Sequence, residues 1–187
     1  YSPKVLPLEE VVEEAPEIKT FYVNSPNIAS RSDPGQFLML WVIGVDEVPM
    51  SMSKAGDDGT LGITVERVGD ATSRLHELQE GDRIGVRGPY GNGFDLSGEK
   101  LLIVCGGCGT APLVFSAEEA AKMGKDVTVV LADRTEERLL FRSRMEDLEV
   151  DYVVATEDGS AGVEGMATDA LEEIDSGEDF DSSLVCG

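Results

Sequence analysis

The spacing of apolar residues changes once along this 187-residue chain, near residues 97–100, and that change limits the possible folds more than any other feature. Up to about Leu96 the apolar runs are short and are separated by Gly, Pro, Asn and Asp. Short runs at this spacing predict strands of a small closed antiparallel β-barrel. The predicted strands cover residues 19–25, 35–43, 48–54, 61–67 and 82–88, with a further strand near 7–15 and one helix at 71–78.

After residue 100, buried strands alternate with helical repeats. Strands are predicted at 101–105, 126–132, 151–156 and 182–187, and helices at 111–124, 135–148 and 166–174. This alternation predicts a parallel sheet with helices on its faces. We therefore expect two domains, a β-barrel over residues 1–97 and an α/β nucleotide-binding domain with a parallel sheet over residues 98–187.

The charge of the chain excludes two classes of partner. Its 37 acidic and 15 basic residues give a net charge of −22, which repels nucleic acid and anionic membranes. The acids are spread over the whole length, and self-repulsion of this size needs screening by salt, so we expect a salt-adapted cytoplasm. No run approaches the roughly 20 apolar residues of a membrane span, and the N-terminus lacks a secretory pattern, which also favours a cytoplasmic protein.

Three cysteines and one histidine offer few ligands for a metal. Cys105 and Cys108 form one C-x-x-C pair, whereas Cys186 stands alone and a structural zinc site uses four ligands. We predict that Cys105 ends a buried strand, that Cys108 fills a loop and that His76 lies on a helix face. A redox role for the C-x-x-C pair is the less favoured alternative, because such pairs open a helix beside a proline in thioredoxin-like folds.

A glycine-rich loop follows the first strand of the predicted parallel sheet. In such folds this loop holds phosphate groups, because glycines let the backbone approach and the next helix offers free N–H groups. The spacing departs from G-x-G-x-x-G, so a tight turn without a ligand is the alternative interpretation. The candidate phosphate-binding residues are Gly106, Gly107, Gly109 and Thr110, followed by Pro112, which suits a first helical turn.

Two further loops favour a ligand site. Segment 156–169 carries three glycines and follows the third parallel strand, which places it on the same carboxyl edge as the first loop. Segment 87–96, RGPYGNGFDL, combines three glycines and a proline with Tyr90 and Phe94, which suggests a loop shaped around a flat molecule. The alternatives are a flexible surface loop for the first segment and a linker between domains for the second.

The order of a barrel, GPYGNGF and GGCGTAPL resembles the ferredoxin–NADP reductase superfamily, in which a flavin lies between a Greek-key barrel and a nucleotide-binding domain. Within it, segments 33–37, 48–53 and 156–169 and the closing Cys-Gly are similar to the electron transfer subunits of dihydroorotate dehydrogenase B. The resemblance covers essentially the whole chain. It implies FAD and NAD(H) as cofactors and a catalytic dihydroorotate dehydrogenase subunit as the partner, in a heterotetramer.

The resemblance also implies which residues bind the cofactors. The flavin is expected at Pro49, Met50, Ser51, Met52, Thr64, Val65 and Glu66, and its pyrophosphate at Gly69, Ala71 and Thr72. The pyridine nucleotide is expected at the glycine loop, with its adenosine ribose near Asp133 and Arg134 and its nicotinamide near Asp158, Gly159 and Ser160. Asp133 would favour the 2′-hydroxyl of NAD and Arg134 the 2′-phosphate of NADP, so the sequence does not decide between the two coenzymes.

Two features depart from the family pattern. Val48 stands where an arginine usually neutralises the flavin phosphates, and Met50 where an aromatic residue often stacks on the flavin. We then expect the flavin phosphates to be neutralised by backbone N–H groups, Arg74 or Arg87. The family continues into a cysteine-rich lobe that ligates a [2Fe–2S] cluster through four thiolates, so with three cysteines we expect that cluster only in a longer chain.

The function implied by the resemblance is an electron relay in pyrimidine biosynthesis. Electrons would pass between NAD(H), FAD and an iron–sulfur cluster to the catalytic partner, and no side chain is assigned as a catalytic acid or base. One alternative is a flavin and NAD(P)H reductase subunit of a sulfhydrogenase-like complex. Another, from a different class, is a non-catalytic nucleotide-binding module that has lost flavin through Val48 and Met50.

Overall fold

A computed structural model describes residues 3–148, 150–174 and 179–187 of the chain. Contacts between Cα atoms divide the chain into two compact units, Tyr1–Gly93 and Phe94–Gly187. Across the described ranges, no helix has the length and apolar character needed to cross a bilayer.

The first unit is an antiparallel sheet in the form of a half-barrel. Its strand order is β1-β7-β4-β5-β6-β3-β2. Three consecutive strands, β4, β5 and β6, are neighbours, and β7 returns to lie beside β4, which is a Greek-key arrangement. This confirms the predicted Greek-key antiparallel fold. The elements are β1 (Lys4–Pro7), β2 (Glu10–Ala15), β3 (Ile18–Asn24), α1 (Pro26–Ala29), β4 (Phe37–Val42), β5 (Asp46–Ala55), β6 (Thr60–Glu66), α2 (Asp70–His76) and β7 (Arg83–Tyr90).

The half-barrel forms because alternate residues of its strands are apolar. In β4, Leu38, Leu40 and Val42 are buried, whereas the residues between them are half-buried. Successive side chains of a strand point to opposite faces, so this alternation turns one face of the sheet toward a core. The same core contains Ile18, Phe21, Met52, Leu61, Ile63, Leu75 and Ile84.

Three buried hydroxyl groups are linked inside this core. The Thr64 hydroxyl donates to Ser53 Oγ at 2.8 Å and lies 2.8 Å from the hydroxyl of Thr20. All three side chains are buried, so each hydroxyl would lack water if its partner were removed. This network couples β3, β5 and β6 at the centre of the sheet.

The second unit is a parallel sheet with helices on its faces, as predicted. Its strand order is β11-β10-β9-β8-β12, and all four strand pairs are parallel. Its elements are β8 (Lys100–Gly106), α3 (Thr110–Lys122), β9 (Asp126–Asp133), α4 (Arg142–Asp147), β10 (Asp151–Thr156), β11 (Val163–Glu164), α5 (Ala167–Leu171) and β12 (Ser182–Cys186).

The two faces of the parallel sheet have separate cores. On one face, Ala170 of α5 packs with Val104, Val130 and Ala155. The intervening residues of β8 point to the other face, which is covered by α3. The first helical turns of α3 are almost wholly buried because they pack directly on β8, β9 and β12.

The prediction of one helix at 135–148 is wrong over its first half. A 3-10 turn covers Glu136–Arg138, and α4 begins only at Arg142. Between them Phe141 has a left-handed backbone with φ of 58°, which an α-helix excludes. Burial explains the interruption, since the side chains of Leu140 and Phe141 are both buried at this bend.

We predict that Thr64→Val lowers the free energy of unfolding by about 1–3 kcal/mol, because it leaves a buried hydroxyl on Thr20 without a partner. The matched control is Thr128→Val in β9, where the Thr128 hydroxyl makes no hydrogen bond to a described residue. Chemical denaturation of both variants gives the comparison. Equal free energies of unfolding for the two variants would contradict the role assigned to the network.

Candidate functional site

The carboxyl edge of the parallel sheet carries the glycine loop. Gly106 is the last residue of β8, a 3-10 turn covers Gly107–Gly109, and α3 begins at Thr110. The strand order reverses here, because β9 lies on one side of β8 and β12 on the other. In open α/β sheets, ligands bind in the crevice at this reversal.

The end of β12 lies directly against the glycine loop. A Cβ built on Gly109 would lie 2.6 Å from the carbonyl carbon and oxygen of Cys186, and one on Gly106 would lie 3.2 Å from Cα of Gly187. Gly107 has φ of +49°, which favours glycine. Thr110 and Pro112 are buried, so Gly106, Gly107 and Gly109 are the part of the predicted phosphate loop that a ligand can approach.

Asp133 lies at the end of β9 and contributes a buried carboxylate to this edge. Its side chain is 6% exposed. Oδ1 accepts hydrogen bonds from the backbone N–H of Arg134 at 2.7 Å and from Nε of Arg138 at 3.2 Å. Oδ2 is buried and has no hydrogen-bond partner among the described residues. It lies 3.7 Å from the position of a Cβ on Gly107, so it points toward the glycine loop.

The loop after β10 completes the same edge. The backbone N–H groups of Glu157 and Asp158 donate to the carbonyl oxygens of Asp133 and Arg134, each at 3.2 Å. Hydrogen bonds from the hydroxyl and backbone N–H of Ser160 hold the pKa of the Asp158 carboxyl below its usual value. The structure therefore brings the predicted ribose and nicotinamide residues to one edge with the glycine loop.

Two positions in this loop require glycine. Gly159 and Gly162 have φ of +69° and +65°, and a Cβ on Gly162 would lie 2.0 Å from the carbonyl oxygen of Val154.

The Arg134 side chain is exposed and makes no ion pair within the described residues. Its guanidinium is therefore available to an anion at this edge.

The cysteines lie around the glycine loop in different environments. Cys105 is buried in β8 and is paired in register with Cys186 of β12. Burial raises the pKa of the Cys105 thiol well above its usual range, so it is a poor nucleophile. Among the described residues, no group of three Cys, His, Asp or Glu side chains could hold a metal ion.

In the half-barrel, the predicted flavin residues lie on β5 and β6 with unequal access. Pro49 is exposed, Met50 and Ser51 are half-buried, and Met52 and Val65 are core side chains. Met52 and Val65 can therefore meet a ligand only through their backbone. Thr64 is also buried and Glu66 is half-buried.

The predicted pyrophosphate turn precedes α2. Gly69 is exposed, and no atom lies within 4 Å of a Cβ built on it. The Thr72 hydroxyl already accepts the N–H groups of Val68 and Gly69, both at 2.9 Å. The N–H groups of Asp70 and Ala71 remain as donors at this turn, next to Val68, which is 79% exposed.

The two arginines expected to neutralise phosphate are both engaged. Arg87 donates from Nε and Nη2 to the two carboxylate oxygens of Glu47 at 2.5 and 2.7 Å. This bidentate pair raises the pKa of the Arg87 guanidinium and lowers that of Glu47. Arg74 forms an exposed ion pair with Glu77 at 2.6 Å.

Sequence reasoning missed one part of the site at the parallel-sheet edge. The backbone of Cys186 and Gly187 forms one wall of the glycine loop, although neither residue was a candidate. The available signal was the predicted parallel strand at 182–187, because a strand paired with β8 ends beside the loop that follows β8.

Comparison with known proteins identifies relatives over nearly the whole chain, although no protein-family model matches it. A probable dihydroorotate dehydrogenase B (NAD(+)) electron transfer subunit of Methanocaldococcus jannaschii is 42% identical over 185 residues, which are 99% of this chain and 68% of the relative. The protein of the same description from Methanothermobacter thermautotrophicus is 42% identical over 186 residues, again 99% and 68%. The chain thus spans about two thirds of these relatives.

Solved structures share the fold. An NADH-dependent reduced ferredoxin–NADP oxidoreductase matches with a TM-score of 0.86 and 28% identity, over 96% of this chain and 66% of that one. The cytochrome b5 reductase domain of Ulva prolifera nitrate reductase matches with a TM-score of 0.78 and 16% identity, over 99% of this chain and 87% of that domain. The second likeness concerns the fold alone.

We predict that Gly109→Ala lowers the free energy of unfolding by at least about 2 kcal/mol, because the new Cβ meets the backbone of Cys186. Gly69→Ala is the matched control: both glycines precede a helix without a positive φ, and the space around Gly69 is open. The free energy of unfolding of the Gly69→Ala variant should change by less than about 1 kcal/mol. Hydrogen exchange of the β12 amides should accelerate in the first variant alone, and unchanged exchange there would count against this packing.

Proposed function

Since this chain belongs to the family of dihydroorotate dehydrogenase B electron transfer subunits, we propose that it transfers electrons between NAD(H) and FAD as an NAD(P)H oxidoreductase. The relatives are described as NAD(+)-linked electron transfer subunits, and the fold is that of ferredoxin–NADP reductases. A catalytic subunit that oxidises dihydroorotate would be the partner. The observation that carries the proposal is the buried, unpartnered carboxylate oxygen of Asp133 beside the glycine loop.

The residues at the parallel-sheet edge fit a pyridine dinucleotide. Gly106, Gly107 and Gly109 would let the pyrophosphate approach the backbone at the start of α3. Asp133 Oδ2 lacks a donor, and a ribose hydroxyl is a donor of suitable size. Asp158 and Ser160 would line the nicotinamide side.

The half-barrel fits FAD less completely. Ser51 would offer a hydroxyl near the ring system, and Gly69 with the N–H groups of Asp70 and Ala71 would receive the pyrophosphate. The absence of an arginine at Val48 is not compensated by Arg74 or Arg87, because each is already paired with a glutamate. We therefore propose that FAD binding in this protein relies on backbone donors.

When bound, the two cofactors would supply hydride transfer between nicotinamide and flavin and the release of single electrons. The protein's own residues bind and orient the two coenzymes, and none of them needs to move a proton. Three cysteines, one of them buried with a raised pKa, do not fit a [2Fe–2S] cluster within these 187 residues. No step through such a cluster is assigned to this chain.

We expect purified protein incubated with FAD and then desalted at high salt to retain visible flavin absorbance, which NADH bleaches without oxygen. Backbone donors should give saturable flavin binding even though Arg74 and Arg87 are both paired with glutamates. Absorbance and fluorescence titrations provide the measurement. Protein that stays colourless after FAD incubation would instead favour the nucleotide-binding module without flavin.

We predict that Asp133→Asn raises the dissociation constant for NADH about tenfold, because the amide oxygen keeps the bonds from Arg134 and Arg138 and an uncharged NH2 donor replaces the carboxylate acceptor for the ribose. Flavin content should not change. NADPH should bind the unmodified protein more weakly than NADH and should gain affinity in the variant, because the carboxylate repels a 2′-phosphate.

The matched control is Asp126→Asn, the same substitution at the opposite end of β9, where the aspartate is paired with Lys100 at 3.8 Å. It should leave both dissociation constants unchanged. Equal effects of the two substitutions, or tighter binding of NADPH than of NADH by the unmodified protein, would overturn the role of Asp133.

A further inference from the structure

The half-barrel unit contains a cavity of about 520 Å³. Of the residues considered above for a ligand, it is lined by Arg87, which is paired with Glu47, and by residues 88–90 of the loop at 87–96. Its volume lies within the range of small-molecule sites, roughly 300–1,000 Å³. It lies between β1, the segment around α1 and the end of β7. The side chains that matter here are Lys4, Asn27, Ile28, Arg31, Arg87 and Tyr90.

The charge of this cavity is opposite to that of the protein. Lys4 and Arg31 form no ion pair with any described residue, and none of the described residues that line the cavity carries a carboxylate. Acids outnumber bases 37 to 15 in this chain, so a wall with two unpaired cations and no acid stands out. A second cavity of about 500 Å³ in the same unit shows the opposite composition, with Glu9, Glu10 and Glu80 around Lys54.

A hydrogen bond within the protein already orients the Arg31 side chain in the cavity. Nε of Arg31 donates to the carbonyl oxygen of Asn27 at 2.8 Å, which fixes the side chain and leaves its terminal amino groups as donors. The Asn27 side-chain amide has no partner among the described residues. Arg87 contributes little net charge because Glu47 binds it, so Lys4 and Arg31 supply the positive field.

The remainder of the wall is apolar or aromatic. Ile28 is 3% exposed and Val86 is fully buried. Beside them Pro89 and Tyr90 are half-buried, and the Tyr90 hydroxyl lies 3.1 Å from Nη1 of Arg87. The Tyr90 ring also lies 5.8 Å from that of Phe37, which limits its movement. The cavity thus combines an apolar and aromatic wall with a cationic rim.

We propose that this cavity binds a small organic anion that carries a carboxylate or phosphate group on a flat apolar body. The anionic group would lie between Lys4 and Arg31, with the Asn27 amide as a further donor, and the flat body against Ile28 and Tyr90. The proposal goes beyond the electron transfer function, since the cavity contains none of the residues of β5, β6 and the turn before α2 that are proposed for FAD, and none of those proposed for the nucleotide.

Isothermal titration calorimetry of the whole chain tests the site at one fixed salt concentration, with FAD and NAD in excess so that their own sites are filled. Benzoate and phenyl phosphate represent the carboxylate and phosphate sources, benzamide the uncharged body, and inorganic phosphate the charge alone. We expect saturable binding of benzoate, phenyl phosphate or both, and much weaker binding of benzamide and inorganic phosphate.

Arg31→Gln and Lys4→Gln should each raise the dissociation constant of the bound probe about tenfold, because each removes a charge-assisted hydrogen bond. Their matched controls are Arg83→Gln and Lys54→Gln, which remove an exposed and a half-buried cation of the same unit outside this cavity. The controls should bind as the unmodified protein does.

Three outcomes would overturn the proposal: no saturable binding of either aromatic anion, equal losses in the control variants, or equal affinity for inorganic phosphate and the aromatic anions. Thermal unfolding of each variant identifies any loss that results from misfolding. Retained flavin absorbance shows that the result is independent of the FAD site.

Discussion

The parallel pairing of β8 with β12 is the contact on which the nucleotide edge depends. It places the backbone of Cys186 and Gly187 against the loop that follows β8, so closely that Gly106 and Gly109 cannot carry a side chain without displacement. The same pairing reverses the strand order and opens the crevice in which open α/β sheets bind ligands. The glycines of the loop therefore serve two needs, close packing of the chain on itself and close approach of a phosphate.

Asp133 connects stability with binding at this edge. One carboxylate oxygen is satisfied by Arg138 and by the backbone N–H of Arg134, whereas the other is buried without a donor. A buried acceptor in this state destabilises the free protein by about 1–3 kcal/mol. A ligand hydroxyl that reaches Oδ2 recovers that energy, so the arrangement favours ligands with a donor at this point and disfavours those with a negative charge there.

Local periodicity and turn residues were sufficient to predict the antiparallel strands, the parallel sheet and its glycine loop, whereas the Greek-key order and the family came from resemblance to known motifs. It was insufficient where burial overrides local preference. The segment 135–148 has a helical pattern, yet the burial of Leu140 and Phe141 interrupts it. Likewise the pairing of Arg87 with Glu47 joins residues 40 positions apart, so the sequence offered Arg87 as a phosphate ligand although the fold had already given it a partner.

The unequal distribution of positive charge follows from the same reasoning. In a chain with a net charge of −22, a cation close to any carboxylate tends to pair with it, as Arg74 and Arg87 do. Segments 26–32 and 83–94 carry no acidic residue. These segments meet at the cavity of the half-barrel, whereas the exposed Arg134 stands at the nucleotide edge. At these two places unpaired positive charge can receive an anion, whereas Lys54 is surrounded by Glu9, Glu10 and Glu80.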